Sequence, residues 1–153
     1  MTPEAKLAEL GWELPPAPTP QGAYRPVVQA GRLLFLSGHL PLRNGQPAFI
    51  GRVGAELSVE DGQAAARQAA LNLLATLKAH LGELSRVRRV VKLLGMVNCT
   101  EDFTQQPRVL NGASEVFIAL WGEQGRHARS AVGFQAVPGG MAVEIDAIFE
   151  LAE

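Results

Sequence analysis

The chain has 153 residues, of which 47% are hydrophobic and 19% are charged, a composition typical of one globular domain. The net charge of −1 argues against a dedicated nucleic-acid-binding protein, because such proteins carry a basic excess. The only cysteine, Cys99, excludes an intrachain disulfide and a cysteine-based zinc site. Without a signal-peptide core or an apolar run of about 20 residues, the sequence predicts a cytoplasmic protein with no membrane partner.

Residues 1–21 are predicted to form a short helix followed by a connector. The helix covers residues 3–10 and ends at Gly11, and the proline-rich segment after it favours neither a helix nor a strand. We therefore divide the chain into this N-terminal segment and one domain at residues 22–153.

The first part of the domain is predicted to be extended. Residues 24–38 have the pattern of a hairpin with a tight turn at Ala30 and Gly31. The stretch at residues 41–54 contains an Asn-Gly turn signal and is expected to hold one further short strand.

Two helices and a buried strand follow. Ser58 and Asp61 resemble a capping box at the start of a helix that ends before Gly82. Residues 87–98 are rich in Val and Leu, which indicates a buried strand. A second helix begins near Pro107 and ends before Gly122.

Two strands close the chain, at residues 127–136 and 141–151. The last strand alternates strictly between apolar residues and a second set that includes Glu144, which places Glu144 on the face away from the core. In the strand before it, Val132 and Phe134 belong to the more apolar side, so we expect that side to face the helices and Arg129 to lie on the helix-free face. The element order predicts an α+β sandwich with two helices on one face of a sheet.

Arg129 and Glu144 are the strongest candidates for chemistry. A guanidinium on a rigid strand suits bidentate binding of a carboxylate, and a nearby carboxylate can orient a water molecule or move a proton. The alternative is a structural Arg–Glu pair on a solvated or oligomeric sheet face.

Other candidate sites have weaker support. The three histidines lack the spacing of metal ligands, so no metal is expected. Ser37 lacks the sequence context of a hydrolase nucleophile, and Ser37 with His39 has no third member. Residues 51–54 lack the lysine and the length of a phosphate-binding loop, and Cys99 is more typical of a small buried residue than of a nucleophile.

Three segments taken in order resemble the YjgF/Rid family of reactive-intermediate (enamine/imine) deaminases, also called endoribonuclease L-PSP proteins. They are GAYRPVVQAGRLLFLSGHLP, QAALNLLATLKAHLG and ARSAVGFQAVPGGMAVEIDAI, and the resemblance runs from about Gly22 to Leu151. The sequence is most similar to a less-studied branch with an N-terminal extension. The resemblance implies a chorismate-mutase-like fold, with one mixed sheet carrying two helices on one face, assembled as a homotrimer with a barrel-like core and clefts between subunits.

The resemblance also implies roles for individual residues. Arg129 corresponds to the arginine that binds the substrate carboxylate, and Glu144 to the glutamate associated with the hydrolytic water. The family's pocket tyrosine, serine-glycine pair and helix asparagine correspond to Tyr24, Ser37 with Gly38, and Asn111. Backbone groups beside Ala131 are expected to stabilise charge on the tetrahedral adduct.

Three positions depart from the family pattern: Arg25 replaces a serine, His39 a glutamine, and Ala131 a cysteine found in many members. The implied function is cofactor-free hydrolytic deamination of 2-imino or 2-enamine acids to 2-oxo acids and ammonia. An alternative is a trimer that binds a small carboxylate without turnover, which the three departures favour more than in a typical deaminase. Ribonuclease activity, implied by the older family name, is less expected because phosphate contacts normally require a positive surface.

Overall fold

A computed structural model describes all 153 residues of the chain. Three helices and five strands make up the regular structure, and three short 3₁₀ turns connect some of them. In chain order the elements are α1 (Pro3–Leu10), β1 (Val27–Ala30), β2 (Leu33–His39), α2 (Val59–Leu81), β3 (Val87–Asn98), α3 (Gln106–Trp121), β4 (Ala128–Phe134) and β5 (Val143–Leu151).

The five strands form one mixed sheet in the order β1-β2-β5-β3-β4. Every neighbouring pair is antiparallel except β3 and β4, which are parallel and joined by α3. A parallel pair needs such a crossover, because its strands run in the same direction. Helices α2 and α3 contact each other and pack on the same face of the sheet. The predicted α+β architecture is therefore confirmed.

The start and end of α2 follow from its sequence signals. The Ser58 side chain accepts a hydrogen bond from the Asp61 amide (3.0 Å), and the Asp61 carboxylate accepts one from the Ser58 amide (2.9 Å). This is the predicted capping box. Gly82 ends the helix at a φ of 88°, a backbone conformation that favours glycine.

Helices α2 and α3 approach each other closely at Gly112. A Cβ atom on this residue would lie 2.1 Å from the backbone oxygen of Gln63, so any larger side chain would force the helices apart. This contact fixes the position of the first half of α3, which carries Asn111 and Ser114.

The core lies between the helices and one face of the sheet. The alternate β5 residues from Val143 to Leu151 are buried, and Phe117 of α3 packs edge-on against Phe149 of β5. As predicted, Glu144 lies on the opposite face of β5 from these core residues.

The N-terminal helix forms as predicted and contacts the body of the protein. Thr2 caps its first turn, and Gly11 ends it in the left-handed conformation. Leu7 is buried, and the Glu4 carboxylate accepts a hydrogen bond from the Leu84 amide (2.7 Å). The division of the chain at residue 21 remains a prediction. None of the helices has the length and apolar character needed to cross a membrane.

Two local predictions are wrong. The hairpin strand begins at Val27 rather than Tyr24, and its turn lies at Gly31 and Arg32. Residues 41–54 contain no strand, because their backbone groups pair only at isolated bridges. Val53, for example, donates to the Asn98 oxygen and accepts from the Thr100 amide at the end of β3.

Candidate functional site

Arg129 is held against the first half of α3. Its Nη1 donates to Asn111 Oδ1 (2.9 Å) and to Ser114 Oγ (3.0 Å), and its Nη2 donates to the Pro107 oxygen (3.2 Å). No ion pair joins Arg129 to a carboxylate of the same chain. Partial burial lowers the pKa of Arg129 from its ordinary value, but an arginine stays charged at neutral pH.

The prediction that Arg129 lies on the helix-free face is wrong. Ala131, which shares a face of β4 with Arg129, packs against the core, and its partner Gly95 lies directly under Leu110 of α3. The more apolar side of β4 faces away from the helices, where Val132 is 41% exposed and Phe134 is 44% exposed. On the helix side of this edge strand, Arg129 reaches polar groups in the first half of α3 rather than the middle of the core.

Glu144 lies on the other face of the sheet. Its carboxylate is next to Gly38 of β2, where an added Cβ would come within 2.7 Å of Glu144 Oε1. No hydrogen-bond donor or ion-pair partner of the same chain reaches this carboxylate. Desolvation, and then the charge of Asp146, raise the pKa of Glu144 above its ordinary value. The pKa of Asp146 is also raised by desolvation, although the charge of Lys92 opposes that shift.

In one chain the two candidate residues therefore form separate clusters. The Arg129 cluster consists of Arg129, Asn111, Ser114 and His127 on the helix side, and the Glu144 cluster consists of Glu144, Asp146 and Gly38 on the helix-free face. The sheet register confirms the separation, because Glu144 pairs with Met96 while Arg129 pairs with Leu93, so the two side chains occupy opposite sides of the strands.

Tyr24, Ser37 and Gly38 line one small depression of about 50 Å³. Tyr24 is exposed and its hydroxyl accepts a hydrogen bond from the Gln21 amide (3.3 Å). The Ser37 hydroxyl donates to the Arg25 oxygen (2.7 Å), which joins β2 to the segment before β1. The structure thus brings together three residues that the resemblance assigned to a pocket.

Two of the three departures from the family pattern have clear structural positions here. His39 is buried, its Nδ1 donates to the Ser37 oxygen (2.7 Å), and its Nε2 contacts Thr76 Oγ1 (2.7 Å). Desolvation lowers the pKa of His39. Arg25 is exposed beside the depression. His39 therefore joins β2 to α2 below the depression, and Arg25 contributes a positive charge at the surface.

A larger cavity of about 590 Å³ lies at the ends of β3 and β4. Arg52, Cys99, Gln106 and Gly133 are among its lining residues. Cys99 is buried, and its carbonyl accepts a hydrogen bond from Arg52. No three His, Cys, Asp or Glu side chains of the chain are close enough together to hold a metal ion.

Sequence reasoning missed two acceptors of Arg129, the Ser114 hydroxyl and the Pro107 carbonyl, and the contact between Ser114 and His127. A histidine two residues before the arginine on the same strand face is visible in the sequence. Its serine partner has no such signal, because the register between α3 and β4 is set by tertiary packing.

Residues 4–143 match the family described as "YjgF/chorismate mutase-like, putative endoribonuclease". The chain belongs to the YjgF/Rid family. Protein TCP17 of Trypanosoma cruzi is 47% identical over 148 residues, which cover 96% of this chain and 92% of that protein. The match from residue 4 includes most of α1, and a separate branch defined by an N-terminal extension remains a prediction.

Solved structures of the family superpose on this chain to different degrees. Atu1372 of Agrobacterium tumefaciens, a protein of unknown function, is 45% identical with a TM-score of 0.91, covering 97% of this chain and 92% of that one. A protein of Shewanella oneidensis described as "a putative endoribonuclease" is 35% identical with a TM-score of 0.95, covering 99% of this chain and 100% of that one. RidA of Psychrobacter sp. is 30% identical with a TM-score of 0.61, covering 88% and 94%.

Proposed function

We propose that this protein is a cofactor-free deaminase that hydrolyses 2-imino or 2-enamine acids to 2-oxo acids and ammonia, at clefts between the subunits of a homotrimer. The observation that carries the proposal is the Arg129 guanidinium, which is positioned by uncharged acceptors and has no carboxylate partner in its own chain.

The donors of Arg129 match the needs of a carboxylate ligand. A guanidinium has five N–H groups. Three of them bind Asn111, Ser114 and the Pro107 carbonyl, which leaves one on Nε and one on Nη2. Two N–H groups are what a bidentate arginine–carboxylate contact uses. The acceptors from α3 hold the guanidinium in place, so less side-chain entropy is lost when a carboxylate binds.

Glu144 has the properties of a general base near neutral pH. Its raised pKa brings it closer to the operating pH than that of an ordinary glutamate, and proton transfer is most efficient when the two values are close. Because no donor of its own chain binds it, the carboxylate is free to accept a hydrogen bond from a water molecule.

A second copy of the chain would bring the two clusters together. Arg129 and Glu144 lie on opposite faces of the sheet, so they cannot act on one small substrate from their positions in a single chain. The helix-free face also exposes Val28 (52%) and Phe35 (41%) in addition to Val132 and Phe134. Burial of these side chains against another subunit would stabilise an oligomer. The family resemblance implies that this oligomer is a trimer.

The chemistry follows from these positions. Arg129 of one subunit binds the substrate carboxylate, while Tyr24, Ser37 and Gly38 of the neighbour form the pocket wall. Glu144 takes a proton from a water molecule as the water oxygen bonds to C2 of the protonated imine. The backbone beside Ala131 stabilises the adduct. Glu144 returns the proton to the nitrogen, and it then takes the proton of the new C2 hydroxyl as the C2=O bond forms and the C2–N bond breaks. Ammonia and a 2-oxo acid leave, and the proton on Glu144 passes to solvent.

A coupled assay tests this function. An amino-acid oxidase or a dehydratase generates the imine or the enamine, and the release of pyruvate or 2-oxobutyrate is followed. We expect Arg129→Ala to reduce kcat/KM by about 100-fold or more, since hydrogen bonds to charged groups contribute ~1.5–3 kcal/mol each. The matched control is Arg126→Ala, which removes an exposed arginine of the same segment that pairs only with Glu123.

The assay also separates the two alternatives. Normal rates in Arg129→Ala would refute the assigned mechanism. Binding of 2-oxobutyrate that depends on Arg129, without any turnover, would instead support a carboxylate-binding trimer. For RNA cleavage, His39 and His127 are the available acid–base histidines, but His39 is only 6% exposed and both rings bind backbone carbonyls. These contacts and the near-neutral charge favour the small-molecule reaction.

A further inference from the structure

Ser114 connects Arg129 to His127 within the Arg129 cluster. Ser114 is buried on α3, one turn after Asn111, and its hydroxyl oxygen accepts a hydrogen bond from Arg129 Nη1. The same oxygen lies 2.9 Å from Nε2 of His127. Nδ1 of His127 lies 2.7 Å from the backbone oxygen of Gly125.

The chemistry of these groups fixes the direction of each hydrogen bond. A carbonyl oxygen only accepts, so the hydrogen of the neutral His127 ring is on Nδ1 and is donated to Gly125. Nε2 is then an acceptor and takes the Ser114 hydroxyl hydrogen. The lone pairs of the Ser114 oxygen consequently remain available to Arg129, which can only donate.

The environment of His127 favours its neutral form. Desolvation lowers the pKa of the ring, the hydrogen bond to Gly125 opposes that shift, and the positive charge of Arg129 adds to it. Phe117 of α3 packs against the ring edge-on, with 5.9 Å between the ring centroids, and restricts its orientation. With the ring neutral and fixed, the serine hydroxyl cannot rotate to present its hydrogen to the guanidinium.

We infer that Ser114 and His127 are positioning residues that orient Arg129 for carboxylate binding, through the chain of hydrogen bonds from Arg129 to Ser114, His127 and the Gly125 carbonyl. The inference rests on the proposed function, because it assumes that Arg129 binds the substrate carboxylate. Neither residue touches the substrate, and both act through the guanidinium.

His39 makes contacts similar to those of His127, but its contacts do not lead to an arginine. His39 also binds a backbone carbonyl two residues before it and the hydroxyl of a helix residue, Thr76. No arginine binds that hydroxyl. The arrangement around His39 therefore joins a strand to a helix, whereas the one around His127 extends to a cation with free donors.

The test measures 2-oxobutyrate binding by calorimetry. We expect Arg129→Ala to abolish binding and Ser114→Ala to raise Kd about five- to tenfold, which is less than the loss of a direct hydrogen bond to a charged group because Ser114 acts through the guanidinium. His127→Gln, whose amide oxygen can replace Nε2 as an acceptor, should bind nearly as well as the wild type, and His127→Leu should resemble Ser114→Ala. The control is Ser58→Ala, which removes the cap of α2. It should lower the stability of the protein, as the loss of a buried serine does, but leave Kd unchanged.

A spectroscopic measurement on the wild-type protein tests the direction of these hydrogen bonds, with Ser114→Ala as its comparison. In ¹⁵N-labelled protein, His127 should have its hydrogen on Nδ1, and 2-oxobutyrate should shift the Nε2 resonance through Ser114. In Ser114→Ala the ligand should no longer shift it.

The outcomes separate the two proposals. If Arg129→Ala loses binding while Ser114→Ala and His127→Leu bind as the wild type does, the positioning role is refuted and the proposed function stands. If the wild type binds no carboxylate, or Arg129→Ala binds normally, both proposals are refuted. A hydrogen on Nε2 in the neutral ring would also refute the positioning role.

Discussion

The Arg129 cluster and the Glu144 cluster differ in how much of their environment the chain itself supplies. Arg129 has three acceptors of its own chain, all on α3. Glu144 has no donor, and its surroundings disfavour its charge, because it is partly desolvated and lies near Asp146. One charged group is thus positioned within the chain, whereas the other lacks a partner.

This difference separates two tasks of a hydrolytic site. A binding group gains affinity when its orientation is fixed in advance, because less entropy is lost on binding. A general base gains efficiency when its charged form is destabilised, because its pKa then approaches the pH at which it works. The two clusters have these opposite properties, which is why we assign binding to Arg129 and proton transfer to Glu144.

The largest expected effect is that of Glu144→Gln on turnover. Removing a general base typically reduces the rate by about 100- to 10,000-fold. We expect kcat in the coupled assay to fall within this range, while the Kd of 2-oxobutyrate changes little because Arg129 still binds the carboxylate. A large rise in Kd with an unchanged kcat would show that Glu144 binds rather than reacts, and the contrast between the clusters would fail.

A smaller effect is expected for Gly38→Ala. The φ of Gly38 is not in the left-handed region, so alanine is tolerated by the backbone, but the new Cβ would lie 2.7 Å from Glu144 Oε1 and displace the carboxylate. We expect kcat to fall about tenfold, since small displacements of a reacting group are costly. The Kd of 2-oxobutyrate is measured alongside, because Gly38 also belongs to the proposed pocket wall, and an unchanged kcat would mean that the position of Glu144 does not matter.

The smallest effects concern the pH dependence of stability, and the two clusters should give opposite signs. The lowered pKa of His127 means that the unfolded chain binds more protons, so its contribution is complete above pH 6.5 and is lost as the pH falls below that value. The raised pKa of Glu144 means that the folded chain binds more protons, so its contribution is present below pH 4.5 and is lost as the pH rises through the folded pKa.

Variants with chemical denaturation at several pH values can measure these contributions. In His127→Gln, the unfolding free energy should fall less as the pH drops below 6.5. In Glu144→Gln, the fall in unfolding free energy as the pH rises above 4.5 should disappear. Each slope should be smaller than the ~1.4 kcal/mol per pH unit of one fully shifted group, because both side chains reach solvent. Buried His39 also has a lowered pKa, so it contributes the same loss of stability at acidic pH to the wild type and to both variants. Changes in slope relative to the wild type that have the same sign in both variants would contradict the contrast.

Local patterns were enough to predict much of the fold. Ser58, Asp61 and Gly82 marked both ends of α2, because capping depends on residues close in sequence. The strict alternation of β5 placed Glu144 on the correct face, since one side of this central strand is fully buried.

The position of Arg129 could not be obtained in this way. The apolar pattern of β4 pointed to the wrong side, because in this edge strand the more apolar side, with Val132 and Phe134, faces away from the helices and stays exposed. The acceptors of Arg129 come from another element, and the close helix contact at Gly112 fixes where they lie. The resemblance selected Arg129 and Asn111 together, but only the structure shows that Asn111 binds the guanidinium.

Complementation between inactive subunits tests the central claim most directly, which is that Arg129 and Glu144 of different copies form one site. Arg129→Ala and Glu144→Gln chains would be mixed by co-expression, and the deaminase activity compared with that of each variant alone. Random mixing in a cyclic trimer restores both residues in about a quarter of the clefts, so we expect about a quarter of the wild-type activity. Mixed oligomers that form but show no more activity than the separate variants would contradict the claim.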